Sequence, residues 1–114
     1  MAILKQYLNR VRDQTSADLD TGIAGTDGSA IVLTDTDLIS PDTNTRVDLI
    51  VSQFDEGWTA TQVIPPKASG TENLKEWALE NLSGTVLTRS ITAPVVWNPN
   101  VQITRITGVK VDRA

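Results

Sequence analysis

The sequence predicts a β-rich α+β protein built as one domain, on the basis of its length, its threonine content and its apolar spacing. A chain of 114 residues is long enough for one modest core without metals or disulfides. Threonine occurs 15 times, and its branched side chain favours strands and turns. Short apolar segments of strand length recur after residue 45, whereas two other stretches repeat their apolar residues at helical spacing.

The N-terminal segment predicts an amphipathic helix over residues 2–14, which would make residues 1–14 an arm. Its apolar residues recur at i, i+3, i+4 and i+7, with polar residues between them. A helix of three to four turns is marginal alone in water, so its apolar stripe is expected to dock on its own domain or on another subunit. The residues predicted for that interface are the apolar Ile3, Leu4, Tyr7, Leu8 and Val11 and the basic Lys5, Arg10 and Arg12.

Residues 15–45 are predicted to form a long acidic loop rich in Thr, Asp and Gly. Asp27-Gly28 is a turn signal within it, and only the apolar segment near 30–33 is long enough for a short strand. A connection of this length is uncommon inside a compact domain, and is more often functional or flexible than idle.

The compact body is predicted to start at residue 46 with a β-hairpin. Residues 46–54 resemble a central strand, because their centre at 49–51 is apolar on both faces. A short loop with Gly57 at positive φ is expected to lead into a second strand over 58–64. Pro65 should end that strand, since proline cannot donate to a ladder.

A helix is predicted over about residues 71–82, from a capping box and an apolar stripe. Ser69-Gly-Thr-Glu72 matches the S-x-x-E pattern of a helix start, and Gly84 stands where a helix commonly ends. The buried stripe would consist of Leu74, Trp77, Ala78 and Leu82. Three glutamates at four-residue intervals would then lie on the solvated face rather than form a carboxylate site: Glu72, Glu76 and Glu80.

Two further strand regions complete the predicted body. The segments TVLTRSIT and PVVW precede a turn at 98–100, and a long strand is expected over 101–112, bent by a bulge at Thr107-Gly108. The body at 46–114 therefore has the order β-β-α-β-β, with two hairpins. It should form a small antiparallel sheet, a sandwich or a partly closed barrel with one packed helix.

The residue types that carry most enzyme chemistry are missing. The chain has neither cysteine nor histidine, which removes thiol nucleophiles, imidazole bases and the commonest zinc ligands. Ser69 has only Lys67 as a nearby base, and it is already assigned as a helix cap. Without a P-loop or a nucleophile elbow, we expect no enzyme, no cofactor and no small-molecule substrate.

The composition also bounds location and large partners. Neither the apolar region of a signal peptide nor a run of roughly 18 apolar residues occurs, so we expect a protein made in the cytoplasm without membrane contact. A net charge of −4 without a basic cluster disfavours nucleic acid.

Two binding alternatives follow from the loop aspartates and the tryptophans. Calcium could take oxygen ligands from Asp18, Asp20, Asp27, Asp35 and Asp37, although no EF-hand spacing fits and such aspartates more often close turns on their own backbone. Trp58 and Trp97 lie beside turns and could stack on a ligand, whereas Trp77 is expected in the core. The alternative function is therefore a monomeric β-rich module that binds carbohydrate or peptide.

Charge is sorted along the chain, with +2 on residues 1–14, −8 on 15–56 and +2 on 57–114. Fields of this kind act on partner choice. We therefore expect the basic helix of one copy to meet the acidic loop of the next, where Asp35 and Asp37 lie, in a contact that weakens with salt.

The favoured hypothesis is a structural or assembly subunit that acts in a homo-oligomer. A short helix, a long loop and a compact β-rich body suit contacts with copies of the same chain and with other structural proteins. A small phage-like virion component, such as a head-tail connector, neck, tail or capsid accessory protein, is the expected kind. It would reside in the virion.

Overall fold

Two antiparallel sheets and one helix make up residues 5–31 and 37–110, the part of the chain that this computed structural model describes. The predicted α+β, strand-rich class is confirmed. The elements are α1 Lys5–Ala17, β1 Thr21–Gly25, β2 Pro41–Asp48, β3 Ile50–Phe54, β4 Gly57–Ile64, β5 Glu72–Glu80, β6 Val86–Trp97 and β7 Ile103–Lys110.

The strands are distributed over a four-stranded sheet of order β2-β1-β5-β6 and a three-stranded sheet of order β3-β4-β7. The chain passes from the first sheet to the second at Leu49, and again through residues 98–102. The predicted second hairpin is therefore wrong, because β6 pairs with β5 while β7 pairs with β4. The sheets do not close into a barrel, and the molecule extends over 54 × 27 × 26 Å.

The core lies between the two sheets and is built around three tryptophans. One buried cluster contains Ala24, Ile64, Leu74, Trp77, Trp97 and Ile103, and a second contains Trp58, Ala60 and Leu79. Each indole N–H donates a hydrogen bond: Trp58 donates to Thr15 Oγ1, Trp77 to Thr92 Oγ1, and Trp97 to the Pro65 carbonyl. The core position predicted for Trp77 is confirmed.

The N-terminal helix α1 packs on the hairpin formed by β3 and β4. Its helical character is confirmed, and it continues to Ala17, three residues past the predicted end. Leu8 is buried. The hydroxyl of Thr15 donates to the Val11 carbonyl, and Ser16 accepts a hydrogen bond from Gln53 Nε2. The helix therefore covers part of the inner face of the hairpin, the face to which Gln53 and Trp58 belong.

The helix predicted over 71–82 is wrong, since β5 is a central strand paired with β1 and β6. Residues four apart share a face in a regular strand as well as in a helix, which holds for Glu76 and Glu80, whereas the register shift between Leu74 and Glu76 separates Glu72 from them. Glu76 and Glu80 are consequently buried rather than solvated. Gly84 does adopt a positive φ of 81°, but it closes the turn between β5 and β6.

The loop predicted over 15–45 is also wrong in large part. Residues 15–17 belong to α1, and β1 and most of β2 lie within the predicted loop. Residues 30–31 are not in a strand, and the remainder of the strand predicted near 30–33 lies outside the described residues. The glycines of β1 permit close approach, because a Cβ on Gly22 would come within 2.5 Å of the Gln62 side chain.

The first predicted hairpin is confirmed as β3 and β4, with three differences. The predicted strand 46–54 splits at Leu49, and Ile50 is 60% exposed at a sheet edge rather than central. Glu56, not Gly57, has the positive φ, whereas a Cβ at Gly57 would meet the Phe54 ring. The bulge expected at Thr107-Gly108 is absent from β7, which pairs with β4 without a register shift.

Candidate functional site

A buried carboxylate fixes the connection between β1 and β2 onto the four-stranded sheet. Glu76 on β5 is fully buried, and its oxygens accept hydrogen bonds from the backbone N–H groups of Asp27, Ile39 and Ser40 at 3.2, 2.9 and 2.8 Å. Arg89 on β6 donates a further hydrogen bond to it at 3.2 Å. This one side chain therefore holds both ends of the connection.

A second buried acid, Glu80, lies four residues further along β5. It forms a two-point ion pair with Arg46, with distances of 2.9 and 3.1 Å, and accepts a hydrogen bond from the Thr21 hydroxyl. Burial alone would raise the pKa of the Glu80 carboxyl, but the hydrogen bonds from Arg46 and Thr21 outweigh burial and lower it. Glu80 thus ties β2 to β5 across β1.

The described ends of the connection cover part of the outer face of the four-stranded sheet. Leu38, in the connection, is buried against Ile23 of β1 and Ala78 of β5. With Glu76 holding the backbone on either side, these contacts cover the face over β1 and β5. Over β6 the same face stays partly exposed, with Ile91 38% and Val96 48% accessible.

The outer face of the three-stranded sheet is left open. Alternation in β4 places Trp58, Ala60 and Ile64 in the core, so the intervening residues face outward. The cross-strand pairs extend this assignment to β3 and β7. We name this surface the open face; it comprises Ile50, Ser52, Phe54, Gly57, Thr59, Thr61, Val63, Thr104, Ile106, Gly108 and Lys110.

The open face is almost uncharged and exposes large apolar side chains among threonines. Ile50 and Ile106 lie on either side of Thr61 in one cross-strand row and are 60% and 64% exposed. Phe54 is 43% exposed, and Lys110 is the one charged residue among the eleven. Exposed apolar surface gathered on one face in this way marks interaction sites. Sequence reasoning missed it, because 46–54 was predicted to be covered on both sides.

The interface residues predicted from the sequence lie elsewhere. Leu8 is buried in its own chain, Tyr7 is 60% exposed, and Lys5 forms an ion pair with Asp55 at 2.6 Å. The remaining positions divide as follows: Val11 and Arg12 are half-buried, Arg10 is exposed, and Ile3, Leu4 and Asp35 are outside the described residues.

The predicted meeting of helix and acidic loop has no counterpart within one chain. Arg12 donates to the Phe54 carbonyl, whereas Asp37 accepts from the Leu38 N–H in the connection. No hydrogen bond or ion pair joins Asp37 to the described residues of α1. A contact between copies at these positions stays a prediction.

Two of the aspartates weighed as calcium ligands, Asp27 and Asp37, accept hydrogen bonds from the backbone. Asp27 accepts a hydrogen bond from the Ser29 N–H at 2.7 Å, the geometry of an Asx-turn. Asp42 does the same for Asn44 at 2.9 Å. Within residues 5–31 and 37–110, no three acidic side chains lie together as a metal site. The rings of Trp58 and Trp97 are buried and face the core.

Comparison with known proteins gives no family assignment. The chain matches no protein-family model, and it shows no significant similarity to a curated protein or to a solved structure. In the described part of the chain, no helix is long and apolar enough to cross a membrane. The open face is therefore the feature of the molecule from which its function is inferred.

Proposed function

We propose that the protein is a non-enzymatic structural subunit that assembles with copies of itself through the open face. The observation that carries this proposal is the difference between the two sheets. The described ends of the connection, held by Glu76, cover one sheet over β1 and β5, whereas Ile50, Phe54 and Ile106 on the outer face of the other sheet stay exposed. Apolar area left in water is stabilised when a partner covers it.

Charge favours a second copy as the occupant. The chain has a net charge of −4, so two copies repel each other at most orientations. The open face contains no acid, and Lys110 at its margin is its one charge. Contact through this face keeps the acidic residues of both copies apart, with Lys110 at the margin of the contact.

The size of the face determines how strong such a contact can be. Three strands of five to eight residues offer about 350 Å², at ~4.8 Å between strands and ~3.3 Å per residue. A stable interface buries about 800 Å² on each partner. One open face alone therefore supports reversible association, which suits a subunit that makes several contacts in a larger particle, such as a phage-like connector, neck, tail or capsid accessory protein.

A single charge on the open face tests the proposal. Ile50→Asp places a carboxylate at one end of the row formed by Ile50, Thr61 and Ile106, where its burial in an interface costs more than about 1 kcal/mol. We expect sedimentation equilibrium at tens of micromolar to show self-association of the unmodified protein, and at least about tenfold weaker association of the variant.

Leu82→Asp is the matched control, because Leu82 is 84% exposed in the turn between β5 and β6 and lies off the open face. It should associate like the unmodified protein. If the unmodified chain stays monomeric, or if both variants weaken association equally, the open face is not the contact.

A further inference from the structure

Four strands lie at sheet edges, and three of them are protected against strand addition. In β2, the pairing with β1 jumps from Val47 to Asp42, and the Thr45 hydroxyl replaces the missing backbone partner by bonding to both the N–H and the carbonyl of Ala24. Pro41 adds a residue without a donor. Bulges and proline are devices that blunt an edge.

The edges at β6 and β3 are blunted differently. Pairing of β6 with β5 shifts register between Val95 and Ile91, and Pro94 lies at the shift. Strand β3 has only five residues, and α1 packs beside it, with Arg12 bonded to the Phe54 carbonyl. Neither strand offers a long, regular row of free backbone groups.

Strand β7 lacks every one of these protections. All eight of its residues pair with β4 in unbroken register, and it contains neither a proline nor an acid. Its outward-facing Ile106 is 64% exposed, and Gly108 and Lys110 are exposed as well. A regular, exposed, apolar edge is a template for pairing with another strand.

We infer that β7 pairs antiparallel with β7 of a second copy, about a two-fold axis at Ile106. The inference rests on the proposed function, because it names how two copies of the subunit meet. Since the other three edges of the described sheets are blunted, β7 is the regular edge that residues 5–31 and 37–110 of a second copy can offer. Pairing of a strand with itself about a two-fold axis normal to the sheet is antiparallel, and both open faces stay on the same side.

The register follows from alternation and from side-chain chemistry. Opposite residues in an antiparallel pair share a face, so the axis must pass through a residue position near the strand centre. An axis at Ile106 brings together two of the most exposed apolar side chains. It sets Arg105 opposite Thr107 of the second copy, which makes the two Arg105 residues diagonal neighbours about 8 Å apart, and it places the two Lys110 residues about 27 Å apart.

This pairing also doubles the area of the open face that a further partner can contact. Two three-stranded sheets joined at β7 form one six-stranded sheet, with Ile50, Thr61 and Ile106 of each copy in a continuous row. The joined open face has about 700 Å². Two such faces in contact bury about 1,400 Å² in total, which lies within the range of stable interfaces.

Cysteine cross-linking tests the register cleanly, because the chain has no cysteine of its own. At a two-fold axis through residue 106, the two Cβ atoms lie about 5 Å apart, close to disulfide geometry. We expect Ile106→Cys to give a cross-linked dimer under mild oxidation at a rate at least tenfold above Lys110→Cys. Leu82→Cys, exposed in the turn between β5 and β6 and outside β7, measures random collision.

Each outcome separates the register from the proposed function. Faster cross-linking of Thr107→Cys than of Ile106→Cys would move the axis by one residue and overturn the inferred register. Equal rates at 106, 110 and 82, in protein that sedimentation shows to associate, would overturn β7 pairing and leave the proposed function standing. A chain that stays monomeric would remove both.

Discussion

Arginine partners allow two glutamates to occupy the interior of the four-stranded sheet. Removing a carboxylate from water is costly unless its charge is paired and its oxygens accept hydrogen bonds. Glu76 has Arg89 and three backbone N–H donors, and Glu80 has Arg46 and the Thr21 hydroxyl. Both side chains fix elements distant in sequence, and the lowered pKa of Glu80 shows that its ionised form contributes to stability.

Stability is expected to depend on the ionisation of Glu80 under acid conditions. Its pKa in the folded protein is lowered below the ordinary value of 4.5, so the unfolded chain binds the proton more readily. The contribution of Glu80 is therefore complete above about pH 4.5 and is lost as the pH falls through the folded value. Glu80→Gln should reduce the free energy of unfolding by about 2 kcal/mol at pH 7.

Urea unfolding of both proteins from pH 7 to pH 3 measures this effect. The difference between them should shrink as the pH falls, because acid removes the same charge that the substitution removes. A difference that stays constant across this range would show that Glu80 stabilises by packing alone.

At the scale of elements, one buried side chain decides whether a whole connection lies on the sheet. The segment between β1 and β2 has one buried apolar anchor among its described residues, Leu38, so it depends on hydrogen bonds to Glu76. Segments with few buried contacts open at low free energy. Glu76 thereby links the order of the connection to the position of β5.

Glu76→Ala should release the connection from the sheet. Without the carboxylate, the amides of Asp27, Ile39 and Ser40 lose their acceptor, and the Arg89 charge is left buried with fewer partners. Removal of one member of a buried ion pair costs about 3–5 kcal/mol. Hydrogen exchange should show faster exchange at these amides.

Glu72→Ala is the matched change in the same strand, because the Glu72 side chain is partly exposed and forms a 3.7 Å ion pair with Lys67 instead. It should leave exchange in the connection unchanged. Equal acceleration in both variants would mean that Glu76 is not the fastening point.

At the scale of the whole molecule, the fold distributes charge differently from the chain order. The −8 of residues 15–56 is spread over the connection, the edge strand β2 and the hairpin turn. Part of it is neutralised by bases from outside the segment, as Asp55 by Lys5 and Asp27 by Arg89. The residues of the open face include none of these acids.

Salt should therefore distinguish association at the open face from association between helix and acidic loop. Raising ionic strength from 0.1 M to 1 M shortens the screening length from about 10 Å to about 3 Å. Screening reduces repulsion between two copies of net charge −4, so contact at the open face should hold steady or strengthen. Sedimentation at the two salt concentrations measures this, and weaker association at 1 M would instead support the helix-to-loop contact.

The sequence by itself determined α1 and the hairpin of β3 and β4. Both depend on neighbouring residues: the helix on contacts three and four positions apart, and the hairpin on pairs joined by a two-residue turn. The end of β4 at Ile64 is also a local effect, because Pro65 cannot donate to a ladder. Sequence patterns suffice to predict an element when the residues that stabilise it are close together in the chain.

Only the tertiary structure decided β1, β2 and β5, and with them the open face. In β5, a capping box and a stripe at helical spacing were overridden by pairing with strands on both sides, where Thr21 meets Glu80 across 59 positions. Burial of Glu76 and Glu80 required Arg89 and Arg46, which no short window contains together. Which sheet is covered depends on where the connection is fastened, and that is a property of the assembled fold.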